Sequence, residues 1–144
     1  MLILGCGNLD RSDDGAGVMT ARRLRELGIE AQEHGGEPLS LMEAWGRAEE
    51  VILIDTVVSG RATGEINVWN VRTDPVPAIH FRCSTHALGI ADAIEMARVL
   101  ERLPSKLILY GIEGIEFDIG GSLSPEVADA VERLAWQIYA EPTS

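Results

Sequence analysis

Two aspartates and one histidine are the residues of this sequence whose types and settings best suit chemistry. Asp14 lies in the stretch Gly5-Cys6-Gly7-Asn8-Leu9-Asp10-Arg11-Ser12-Asp13-Asp14-Gly15-Ala16-Gly17. Asp55 follows the apolar run Val51-Ile52-Leu53-Ile54, and His86 sits in Thr85-His86-Ala87. Each has a bland reading when taken alone. Asp13 or Asp14 suits the cap of a helix, but one aspartate suffices for a cap and a second is left over. Asp55 suits a turn around Thr56. A histidine at a helix start is commonly structural or merely exposed. Taken together, two carboxylates and an imidazole are a hard-to-borderline donor set that suits a divalent first-row metal with open positions. The set is too rich in oxygen for a structural zinc site, and no HExxH occurs. All three positions are expected beside a surface cleft rather than in the core. His34 and His80 have weaker settings and read as structural, Cys6 reads as a small packing residue, and Cys83 has no matched partner pattern.

The glycine-rich stretch stands where a dinucleotide fingerprint would lie, but it departs from one. Gly5 and Gly7 fit the first two glycines of GxGxxG, and the third position is Asp10. There is no GK[ST]. A phosphate loop offers backbone N–H groups to an anion with little negative charge nearby, whereas this loop carries Asp10, Asp13 and Asp14.

The elements that must position these residues follow from periodicity. Leu2 to Leu4 is a short strand. A helix from about Gly15 to Leu27 carries Val18, Ala21, Leu24 and Leu27 at intervals of three, and Gly28 can stop it in the left-handed conformation. Ile29 to Glu33 reads as an outer strand, His34-Gly35-Gly36 as a turn, and Pro38 as the first turn of a second helix bearing Leu39, Met42 and Trp45. Val51 to Ile54 is the signature of a central parallel strand covered on both faces, ending in Asp55. Glu65 to Val71 is a strand too close behind it for a helical crossover, so it pairs antiparallel. Arg72 to Thr85 is a long loop. A third helix runs from Thr85 or His86 to Arg102, a buried strand from Leu107 to Ile112, and a fourth helix opens on Ser124-Pro125. The order predicts a three-layer αβα sandwich with a five-stranded, mostly parallel twisted sheet and one antiparallel strand. In such folds ligands bind outside the carboxyl ends of the strands, near the switch in strand order.

Composition bounds the rest. The chain of 144 residues predicts one domain, residues 1–144. With 46% hydrophobic and 24% charged residues it is globular rather than disordered. Twelve Lys and Arg against 23 Asp and Glu give a net charge of −11, which argues against nucleic acid or an anionic membrane as partner. No apolar run reaches the roughly 18–20 residues that span a bilayer. Met1 to Gly5 does not read as a signal peptide, and two cysteines are too few for a disulfide framework. A cytoplasmic monomer is expected.

These residues resemble a known family. Gly5-Cys6-Gly7-Asn8 followed by Asp13-Asp14-Gly15-Ala16-Gly17 is similar to the GxGN…(D)(D/E)GxG opening of the hydrogenase maturation proteases. Ile52-Leu53-Ile54-Asp55 resembles the family's apolar strand ending in Asp, and Ser84-Thr85-His86-Ala87-Leu88-Gly89 its histidine before a Leu-Gly helix start. Gly35-Gly36 and Ser122-Leu123-Ser124-Pro125-Glu126-Val127 also match, and the motifs stand in the family's order. The resemblance implies an endopeptidase that removes the C-terminal tail of a nickel–iron hydrogenase large-subunit precursor after nickel insertion. It implies that Asp14, Asp55 and His86 form the site and sense nickel carried by the precursor, with weak metal binding by the free enzyme. The residues alone do not choose between a carboxylate and a metal-polarised water as the hydrolytic agent. They also leave open a metal-binding or precursor-docking factor of the same fold without peptidase activity.

Overall fold

The computed structural model describes residues 1–74 and 90–141. Its strands are β1 (Leu2–Cys6), β2 (Gln32–His34), β3 (Glu50–Val57), β4 (Ile66–Asn70) and β5 (Lys106–Glu113). Its helices are α1 (Ala16–Glu26), α2 (Pro38–Trp45), α3 (Ile90–Val99 as described) and α4 (Pro125–Ala140), with a 3-10 turn at Ser12–Gly15 ahead of α1. The sheet order is β2-β1-β3-β5-β4. All neighbouring pairs are parallel except β4 with β5. The expected antiparallel strand is therefore present, and its partner is β5.

Alternation along β3 sorts the layers. Ile52 and Ile54 join Ile3, Tyr110 and Ile112 in a core closed by α1 and α4. Val51 and Leu53 join Leu4, Cys6, Leu107 and Leu109 in a core closed by α2 and α3. A strand covered on both faces has no polar side to display, which is why residues 51–54 read as an unbroken apolar run. Several local signals act as expected. Gly28 ends α1 with φ +89°, and Pro38 opens α2, whose first N–H groups are met by the Glu37 carboxylate. The expected start of the third helix, the loop from residue 75, and His80, Cys83 and His86 lie outside the described residues. No helix among the described residues is long and apolar enough to cross a membrane.

The order of the chain fixes where a site can form. From β1 the chain moves through α1 to β2 on one side, then through α2 to β3 on the other. The strand order reverses between β1 and β3, so the crevice lies at their carboxyl ends. Two glycines bring α1 down onto those ends. A Cβ on Gly17 would overlap the carbonyl oxygens of Cys6 and Ile54, and one on Gly5 would overlap the carbonyl oxygen of Gly17.

Candidate active site

Asp14 and Asp55 both stand at this switch point. Asp14 is in the 3-10 turn between β1 and α1. Asp55 is in β3, in register with Gly111 of β5. The pairing continues two residues further, to Val57 and Glu113, so Asp55 lies inside the strand rather than at its end. It shares the side of β3 that carries Val51 and Leu53, because strand side chains alternate. Asp55 therefore projects toward the α2–α3 layer, and Thr56 toward the α1–α4 layer.

Thr56 ties the two loops together. Its hydroxyl donates to the carbonyl oxygen of Asp13 at 2.6 Å. The residue after Asp55 thus touches the residue before Asp14. On the other flank, the N–H of Asn8 donates to the Asp14 carbonyl oxygen at 3.1 Å. That approach needs Gly7, which has φ +142° and whose Cβ would strike the same oxygen. Both carboxylates are buried: Asp55 is 0% and Asp14 3% exposed. The expectation of positions beside a surface cleft rather than in the core is corrected here for Asp14 and Asp55. Asp14 is enclosed where α1 seats on the strand ends, and Asp55 inside the strand on the opposite face of the sheet. His86, the third candidate, lies outside the described residues. Among the described residues no three His, Cys, Asp or Glu side chains form a metal-sized cluster.

Asp13 has a role that sequence reasoning assigned to capping. The N-cap of α1 is Gly15, and no side chain caps it. The fully buried Asp13 carboxylate instead accepts from the N–H groups of Ile115 and Glu116 at 2.9 Å each, and from Ser124 N–H at 2.7 Å and Ser124 Oγ at 2.8 Å. Burial alone would raise its pKa. The donors from Glu116, Ile115 and Ser124 outweigh that and hold the carboxyl below its ordinary value. Ser124 precedes α4 as expected, but its hydroxyl serves Asp13 rather than the helix.

Glu113 is a further buried carboxylate, 2% exposed. It accepts from Ser59 N–H at 2.8 Å and Ser59 Oγ at 2.6 Å, and so shapes the loop leaving β3. Sequence reasoning missed it, although a signal existed: an acidic residue follows the apolar strand 107–112, as Asp55 follows 51–54. His34 stands opposite Cys6 in the β1–β2 register. Its Nδ1 accepts the Gly36 N–H at 2.8 Å. Burial pushes its pKa down, against the raising influence of the Ser40 backbone and the Glu37 charge. Cys6 packs in the α2–α3 core, as expected.

The fold is shared with known proteins. A family model described as hydrogenase maturation protease matches residues 21–141. The hydrogenase expression/formation protein HupD of Rhodobacter capsulatus is 32% identical over 92% of this chain and 66% of its own length. HoxM of Azotobacter vinelandii is 33% identical over 98% and 72%. The hydrogenase 2 maturation protease of Escherichia coli (strain K12) is 30% identical over 97% and 88%. The chain thus spans about two thirds of the first of these relatives and more of the others. Among solved structures, the [NiFe] hydrogenase maturation protease HybD from Thermococcus kodakarensis superimposes with a TM-score of 0.73 at 28% identity, over 96% of this chain and 95% of that one. HybD from E. coli shares the fold with a TM-score of 0.76 at 23% identity, over 96% and 89%.

Proposed function

We propose, because this chain belongs to the hydrogenase maturation protease family, that it is the endopeptidase that removes the C-terminal tail of a nickel–iron hydrogenase large-subunit precursor. The reaction is hydrolysis: the scissile C–N bond breaks, water's hydroxyl goes to the carbonyl carbon and its proton to the leaving amine. Asp14, Asp55 and His86 are the proposed site, and nickel arrives as cargo of the precursor.

One observation carries the reading. The Thr56–Asp13 hydrogen bond holds the Asp14 turn against the Asp55 strand at the sheet's switch point. The donor chemistry fits the cargo. Both oxygens of Asp55 and one of Asp14 are shielded from solvent, and a carboxylate in such a place attracts a cation more strongly than one in water. In sequence, His86 comes four residues ahead of Ile90 in α3, and α3 packs on the layer toward which Asp55 projects. An imidazole adds a donor suited to nickel. With only three protein ligands, the free enzyme is expected to hold the metal weakly and the precursor to complete its coordination. The setting of action is the cytoplasm.

The test is to incubate the purified protein with nickel-loaded and nickel-free precursor and to follow the mass of the large subunit. Loss of the tail from the nickel-loaded form alone is expected. Stable binding of the loaded precursor with no change in mass would replace the peptidase reading with that of a docking factor.

A further inference from the structure

The loop after β5 holds large apolar side chains in solvent beside the proposed site. Ile115 is 61% and Ile119 76% exposed, and Val58, leaving β3, is 40% exposed. Single exposed apolar residues need no explanation, but grouped ones mark contact surfaces. Looseness does not account for these. Asp13 receives the N–H groups of Ile115 and Glu116. Ser12 Oγ donates to the Asp118 carbonyl at 2.9 Å, and Gly120 N–H to the Asp10 carbonyl at 2.7 Å. Gly114 N–H donates to the Val57 carbonyl at 3.0 Å. The backbone from residue 114 to 120 is thus fastened along the Asp14 turn, while its isoleucines keep most of their surface in solvent.

We infer that Val58, Ile115 and Ile119 form the rim on which the body of the large-subunit precursor docks while its tail enters the site. This rests on the function proposed above. Position supports it: Val58 comes three residues after Asp55, and Ile115 is bonded to the residue before Asp14. A polypeptide that reaches these carboxylates from outside the strand ends therefore meets this rim. Charge defines the occupant. Residues 113–124 contain Glu113, Glu116 and Asp118 and no Lys or Arg. Glu116 and Asp118 are exposed, as is Asp10 across the loop. The complementary surface is apolar with Lys or Arg at its border. A second copy of this chain, at −11 overall, would set acid against acid.

Two variants test it: Ile115→Ser with Ile119→Ser, and Glu116→Lys with Asp118→Lys. For each, one measures KM and kcat for tail removal from nickel-loaded precursor, direct binding of that precursor, and the thermal midpoint. The serine pair should raise KM about tenfold or more, as loss of buried interface anchors does. Its kcat should stay within about twofold and its midpoint should fall little, because most of the surface of these side chains lies in solvent. The lysine pair should slow association, and wild-type association should weaken with salt. An unchanged KM and affinity in both variants, beside a processing wild type, overturns the docking rim and leaves the function standing. A fall confined to kcat overturns it too, as does a wild-type dimer that the serine pair dissociates. A wild type that binds the precursor through this rim without trimming it upholds the rim and refutes the peptidase.

Discussion

Replacing Asp13 tests whether one carboxylate fastens the loop after β5 to the turn that bears Asp14. In Asp13→Asn an amide oxygen can occupy the place of Oδ2 and keep the bonds from Ile115, Glu116 and the Ser124 hydroxyl. The amide nitrogen then faces the Ser124 N–H, 2.7 Å from the present Oδ1. A buried donor left facing a donor costs about 1.5–3 kcal/mol, and the remaining bonds lose the benefit of a charged acceptor. The expected total is about 3 kcal/mol, and for Asp13→Ala about 4–5 kcal/mol, near the upper end for single substitutions. Ser124→Ala removes only the hydroxyl and should cost about 1 kcal/mol. Urea unfolding followed by circular dichroism gives each value. The double variant closes a cycle, in which two residues sharing a bond should be non-additive. A loss below about 1 kcal/mol in Asp13→Asn, or strict additivity with Ser124→Ala, would refute the fastening role. Processing per folded molecule should fall less in Asp13→Asn than in substitutions at Asp14 or Asp55.

Asp14→Asn, Asp55→Asn and His86→Ala should each lower precursor processing at least about 10²-fold, the loss typical of disturbed metal orientation, while the near-isosteric amides keep the fold. A folded Asp55→Asn that processes at near the wild-type rate would refute the site. His34 is held neutral by burial, so its contribution is complete above about pH 6.5, the ordinary histidine value. As pH falls below that, the unfolded chain takes up the proton first, and stability is lost down to the native pKa. Melts between pH 7.5 and 5 should therefore show a steeper decline for wild type than for His34→Gln, and equal slopes would contradict this. Gly17→Ala should cost about 3 kcal/mol or more, because its Cβ overlaps backbone oxygens of both β1 and β3; a wild-type midpoint in thermal unfolding would show that α1 can lift without penalty.

Much of the architecture was legible because its causes are local. The apolar run 51–54 marked the central strand, Gly28 the end of α1 and Pro38 the start of α2. The boundaries that moved have tertiary causes. β3 runs on to Val57 and β5 to Glu113 because each supplies the other's hydrogen bonds, which outweighs the weak strand preference of Asp55. β2 begins at Gln32 rather than Ile29, because only Gln32, Glu33 and His34 find register with β1. The Asp13 network was not legible. Its partners lie over 100 residues away, and their backbone N–H groups leave no trace in residue type.

The depth of the carboxylates has the same origin. Sequence alone treats Asp as a surface residue, since charged side chains are rarely fully buried. Here two residues without side chains contribute: Gly5 and Gly17 let α1 settle onto the strand ends beside the turn that bears Asp14, while Asp55 is covered on the opposite face, within the strand. The period of two along β3 then divides the labour. Thr56 turns toward α1 and binds the Asp13 carbonyl, so the loop is held on one face of the sheet. Asp55 turns to the other face, where α3 packs. A shift of one residue in the β3 register would exchange these roles, placing a hydroxyl where the proposed site has a carboxylate and a carboxylate against the Asp13 carbonyl. The parallel pairing of β3 with both β1 and β5 is therefore what keeps the carboxylate on the face where α3 packs.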